Sequence, residues 1–150
     1  MGRPRSGEWA SSEFSGLAAL GVTDLVSLLE SSEARDLELH NEASLCGAAS
    51  IAFHAFPIPD RGTPSSVSAL SKLACNLYHS VADGHGVAIH CRAGIGRSGL
   101  VAAAVLMHGG HSMERALSQI SKARGVPVPD TPEQAEWLRT HRAAIGQCRL

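Results

Sequence analysis

Val87-Ala88-Ile89-His90 runs without a spacer into Cys91-Arg92-Ala93-Gly94-Ile95-Gly96-Arg97-Ser98, and the apolar run Gly99 to Met107 follows at once. The short β-branched run reads as a buried strand, and the apolar run as a helix stopped by Gly109-Gly110. A strand that turns straight into a helix belongs to a sheet with helical crossovers, so the class is α/β.

The rest of the chain has the same rhythm. Val22 to Leu29 and Ile51 to Phe56 read as strands, the second stopped by Pro57. Ser12 to Leu20, Ser32 to Leu39 and Glu42 to Ala49 read as short helices, with Ser31 or Ser32 capping the second. Pro57 to Ser66 is a proline- and glycine-rich loop. Three longer helices are expected: Val67 to Ala82, from Ser112 to about Arg124, and from Pro132 to about Ile145, the last opened by a Thr131/Gln134 capping box. In such folds a ligand sits at the carboxyl ends of the strands, which is where Cys91 falls.

The chain of 150 residues suits a single domain spanning 1–150. Its formal net charge of −1 offers no global field for nucleic acid or an anionic membrane. The longest apolar stretch is far too short to span a bilayer, and the N-terminus lacks an apolar signal core, so the cytosol is the expected location. The four cysteines form no CxxC pair, and the histidines show no pattern of metal ligands. No metal and no cofactor are expected. A disulfide framework is not expected in such a chain. Cys46, Cys75 and Cys148 read as packing residues, and Trp9 and Trp137 as core or edge packing. Nothing in the sequence sets the oligomeric state.

A free thiol is a poor nucleophile at neutral pH. The segment after Cys91 carries what activates one. Arg92, Ala93, Gly94, Ile95 and Gly96 can aim successive backbone N–H groups inward as an anion nest, with Gly94 and Gly96 allowing unusual dihedrals. The next helix points its positive end at the same spot, and Arg97 brings a fork that grips two phosphate oxygens. Ser98 sits where its hydroxyl reaches the sulfur. His90 is expected to hold the loop by hydrogen bonds to backbone. This is equipment for attack on phosphorus.

A leaving oxygen needs a proton, and Asp60 on the proline-rich loop is the candidate donor. It must start protonated, which a neighbouring dianion and partial burial favour. Asp83 and Asp130 are rivals that look like cap or turn residues. Gln134 is expected to complete a helix cap, with positioning of the hydrolytic water as its alternative. Arg61 and Arg92 flank the site and either attract a phosphorylated substrate or serve as solvated surface.

His90 to Ser98 matches the HCxxGxxR[ST] signature, and so resembles the cysteine-dependent protein tyrosine phosphatase superfamily. Chain length and flanking stretches resemble its compact dual-specificity branch, with bacterial members and cyclin-dependent kinase inhibitor phosphatases. Pro57-Ile58-Pro59-Asp60-Arg61-Gly62 resembles that branch's general-acid loop. Ala123-Arg124-Gly125 and Val128-Pro129-Asp130-Thr131 resemble its C-terminal region, so the likeness runs from about Leu20 to Leu138. The resemblance implies a mostly parallel sheet of four to five strands flanked by helices, no metal, and a phosphocysteine intermediate. The expected substrate is a phosphorylated protein, on phosphotyrosine and also phosphoserine or phosphothreonine. The alternatives are small or lipid phosphates, a phosphate-binding module without turnover, and rhodanese-type sulfur transfer.

Overall fold

The computed structural model describes residues 1–146. After a 3-10 turn at Gly7–Trp9 come α1 (Ala10–Ala19), β1 (Val22–Ser27), α2 (Ser31–Asp36), α3 (Glu42–Ala48) and β2 (Ala52–Ala55). Then follow α4 (Val67–Ala82), β3 (Gly86–His90), α5 (Arg97–His108), α6 (Met113–Arg124) and α7 (Pro132–Ile145). Local chemistry sets most of these boundaries. Ser66 Oγ accepts from Ala69 N, Ser112 Oγ from Arg115 N and Thr131 Oγ1 from Gln134 N, which start α4, α6 and α7. Gly125, at φ +72°, ends α6 in the left-handed region. The N-cap of α2 is Glu30, not Ser31 or Ser32; Glu33 Oε2 accepts from Glu30 N at 3.1 Å.

The sheet is parallel throughout, in the order β2-β1-β3. Successive residues of central β1 face opposite layers. Leu25 packs with Phe14, Cys46 and Ile51 under α1 and α3. Val26 joins Leu70, Leu77, Leu100, Leu138 and Ile145 under α4, α5 and α7. Both faces are covered, as a parallel sheet requires. Because β2 and β3 flank β1 on opposite sides, the chain reverses its winding direction there. A crevice opens beyond the carboxyl ends of the strands.

The sheet has three strands among the described residues, not the four to five expected. After His90 the apolar pattern is helical throughout and goes into α5, α6 and α7. The N-terminal segment comes alongside the end of β3: the Met1 ammonium donates to Ile89 O at 2.7 Å and Arg3 N to Arg92 O at 3.2 Å. Pro4, next in line, has no N–H to continue a ladder.

Other expectations need correction. Trp9 is exposed, with the Arg5 guanidinium over its ring at 5.4 Å from the centroid, whereas Trp137 packs against the core. Both are amphipathic, and α1 buries Phe14 instead. Cys75 is disulfide-bonded rather than a plain packing residue. Cys46 is a buried free thiol, and Cys148 lies outside the described residues. Among the described residues no helix is long and apolar enough to cross a membrane.

Candidate active site

The loop from Cys91 to Gly96 leaves β3 and folds back to begin α5. Its hydrogen-bonding potential converges on sulfur: Gly94 N donates to Cys91 Sγ at 3.3 Å, and Ser98 Oγ lies 3.4 Å from the same atom. Gly94 adopts φ +76°, the left-handed turn expected of it. Gly96 does not: its φ is −74°. What Gly96 supplies is room. A Cβ there would sit 2.9 Å from both Asp130 Cβ and Gln134 Oε1.

Burial pushes the Cys91 thiol up, but the Ser98 hydroxyl, the Gly94 amide and the Arg97 charge outweigh it. The net result lies below the ordinary thiol value. Cys46 shows the contrast. Burial and the Glu42 carboxylate push its thiol up to about 11.

Arg97 is almost fully buried, and its guanidinium is tightly held. Nη1 and Nη2 donate to Glu33 Oε2 and Oε1 at 2.7 and 3.0 Å, a bidentate pair. Nη1 also donates to Ile58 O at 3.0 Å, and Nη2 to Asp60 Oδ1 at 3.0 Å. Glu33 was not among the expected site residues. The Glu30/Glu33 capping box is the one local signal that fixes its carboxylate in the first turn of α2. Burial raises the Glu33 carboxyl, while Arg97 and the Glu30 amide bring it net below its ordinary value.

Asp60 stands on the loop after β2, more than half exposed, so the partial burial expected of it is slight. The loop is fastened on both sides of it. Arg61, in the left-handed region at φ +57°, pairs with Asp130 at 3.3 Å. Gln134 Nε2 donates to Gly62 O at 2.9 Å. Gln134 is fully buried, and its Oε1 accepts from Asp130 N and Thr131 N, both at 3.2 Å. It does complete the cap, with one donor spent on the Asp60 loop.

The pocket of about 210 Å³ is lined by Cys91, Arg97, Asp60, Gln134 and the loop residues Arg92, Ala93, Ile95 and Gly96, with Arg61 and Asp130 at its rim. Asp83, the other rival acid, is the C-cap of α4 and is not among the pocket residues. His90 is fully buried, with Nδ1 3.3 Å from Cys91 O. Its Nε2 lies 2.6 Å from Glu42 Oε1. Glu42, also missed in the sequence, anchors α3 to the root of the loop. Among the described residues, no group of three or more His, Cys, Asp or Glu is placed to hold a metal ion.

This architecture has close counterparts. The rat and human cyclin-dependent kinase inhibitor 3 proteins are 28% and 27% identical over 132 residues, 87% of this chain. The chain spans 62% of the length of these relatives. The solved structure of Tk-PTP in its active form is 31% identical with a TM-score of 0.74, covering 89% of this chain and 86% of that one. Kinase associated phosphatase, at 23% identity and a TM-score of 0.82 over 99% of this chain and 86% of that one, shares the fold. Residues 1–111 match the family model described as "Polymorphic toxin system, DSP-PTPase phosphatase". With most of its length on that model, and with the strand, cysteine loop and helix just described, the chain belongs to this family of dual-specificity-type, cysteine-dependent phosphatases.

Proposed function

We propose that this chain hydrolyses phosphomonoesters on proteins by two displacements at Cys91. The carrying observation is the convergence of a stabilised sulfur, a buried guanidinium and a carboxyl donor on one small pocket. The Cys91 thiolate attacks phosphorus, and the S–P bond forms as the ester P–O bond breaks. Arg97 and the amides of Arg92 to Gly96 hold the three equatorial oxygens, whose charge is greatest in the transition state. Asp60 gives its proton to the leaving oxygen. It then takes one from a water whose oxygen attacks phosphorus, the S–P bond breaks, and the sulfur departs as a thiolate stabilised by the Ser98 hydroxyl.

The charges around Arg97 support this division of labour. Its one positive charge already faces Glu33 and Asp60. An arriving phosphate dianion competes with Asp60 for the same nitrogen. The freed carboxyl is the group that serves as the acid. Glu33 stays bound because its grip is bidentate.

The reading extends to phosphoserine and phosphothreonine as well as phosphotyrosine, and Arg92 is the only charge the loop adds before Arg97. The decisive test is turnover of p-nitrophenyl phosphate with an initial burst, inhibition by vanadate, and indifference to chelators. A panel of phosphopeptides and phosphoinositides then ranks the substrates. Faster release from phosphoinositides would move the assignment to lipid phosphates.

A further inference from the structure

The acid loop has no secondary structure of its own, yet it is docked. Its start is anchored by Ile58, buried in the core, whose N–H donates to Leu28 O and whose carbonyl accepts from Arg97 Nη1. Beyond Ile58 three side-chain contacts fasten it, two of them at the amino end of α7. Arg97 holds Asp60 itself, Arg61 pairs with Asp130, and Gln134 Nε2 holds Gly62 O. The first is lost whenever phosphate takes Arg97. The second lies at the solvent-exposed rim, where an ion pair holds weakly. The third is buried, and Gln134 is fully enclosed.

We propose that Gln134 is a positioning residue for the acid, acting through the Gly62 carbonyl to hold Asp60 over the pocket after Arg97 has let it go. This rests on the reading of Asp60 as general acid. Three observations carry it. The side-chain oxygen is already used by two backbone N–H groups, so it has little capacity left to orient a water. The side-chain nitrogen spends a donor on a loop carbonyl 72 residues away, which a helix cap alone does not require. A Cβ at Gly96 would sit 2.9 Å from Gln134 Oε1, so only glycine lets the phosphate loop lie this near the amide that holds the acid loop. With Ile58 fixed on the other side of Asp60, Gln134 thereby sets the height of the acid above the nucleophile.

The test separates cap from dock. Gln134→Glu keeps an oxygen for the two N–H groups, and a carboxylate suits a helix amino end. It loses the donor to Gly62 and adds a negative charge, which the neutral Gln134→Met variant below controls for. The measurement is kcat/KM, which reports on the step that breaks the ester P–O bond, for phenyl phosphate, a poor leaving group, and for 2,4-dinitrophenyl phosphate, a good one, in four proteins: wild type, Gln134→Glu, Asp60→Asn and the double variant. The expected result is a fall of between about tenfold and a hundredfold on phenyl phosphate, the scale of a misplaced catalytic group. The fall on the dinitrophenyl ester should be much smaller, and adding Gln134→Glu to Asp60→Asn should bring no further leaving-group-dependent fall. Because Gln134 lines the pocket, the added charge weakens both esters and vanadate alike, so the dock is read from the ratio of the two losses. Gln134→Met, neutral and of similar size, should show the same leaving-group-selective fall with a lower Tm from the lost cap. A Gln134→Glu enzyme equal to wild type on both esters overturns the dock and leaves the acid assignment intact. So does a loss equal on both esters, or a leaving-group-dependent one that persists in the Asp60→Asn background. Asp60→Asn with no leaving-group dependence overturns the acid assignment and this inference together.

Discussion

Arg97 Nη2 donates to Asp60 Oδ1 at 3.0 Å, so the proposed acid is tied to the side chain that is to bind phosphate. Substrate and acid thus contend for one guanidinium. The contest couples occupancy of the pocket to release of the carboxyl, and several consequences can be measured.

Removing the nucleophile and removing the acid should leave different signatures. Cys91→Ser is expected to abolish turnover and the burst while still binding phosphopeptide. Asp60→Asn should lower kcat/KM by about a hundredfold to ten-thousandfold on poor leaving groups and far less on good ones, the range of general-acid assistance. A plot of log kcat/KM against leaving-group pKa checks this: flat for wild type and steep for the variant.

The Cys91 thiol should react with iodoacetamide at a pH below that of free cysteine, about 8.5. Ser98→Ala removes a hydrogen bond that favours the thiolate, so its alkylation midpoint should move up. The sign for stability follows. A thiol depressed in the fold stabilises it most above the unfolded thiol's value, and that contribution fades as pH falls through the folded one. Cys46, raised to about 11, should stay unlabelled in the native protein across this range.

Glu33→Gln leaves a buried guanidinium with half its counter-charge. The expected cost is roughly 3 kcal/mol, the scale of a broken buried pair, read by urea denaturation. Because the Glu33 carboxyl is held below its ordinary 4.5, its contribution is complete at neutral pH and is lost as the pH falls through its lower folded value. The variant's stability should therefore decline less steeply in acid than wild type. Activity should fall on good and poor leaving groups alike, since Arg97 rather than Asp60 loses its support.

Gly96→Ala tests the room beneath α7. The added methyl meets Asp130 Cβ and Gln134 Oε1 at 2.9 Å. Overpacking of this kind costs about 1–3 kcal/mol and should displace the acid-loop dock. We expect a modest fall in Tm with a larger loss of kcat/KM on phenyl phosphate than on the dinitrophenyl ester.

Much of this was legible in the chain itself. Boundaries of α4, α6 and α7 follow from Ser66, Ser112, Thr131, Gln134 and Gly125, each acting within a few residues of its own position. The nucleophile loop was legible for the same reason, since Cys91, Gly94, Arg97 and Ser98 meet through one turn of backbone. Strand number was overestimated because the family resemblance carried it, while the residues themselves offer only three apolar strand runs.

The tertiary structure alone decided who faces Arg97 and where Gln134 spends its donor. Glu33 is 64 residues from Arg97 and Gly62 is 72 from Gln134. Pairs so distant meet only because the order β2-β1-β3 brings the carboxyl ends of the strands to one crevice. Local propensity and capping act over a turn or two and are written in sequence. Counter-charges and docks between loops depend on how the sheet is wound, and no periodicity along the chain records that.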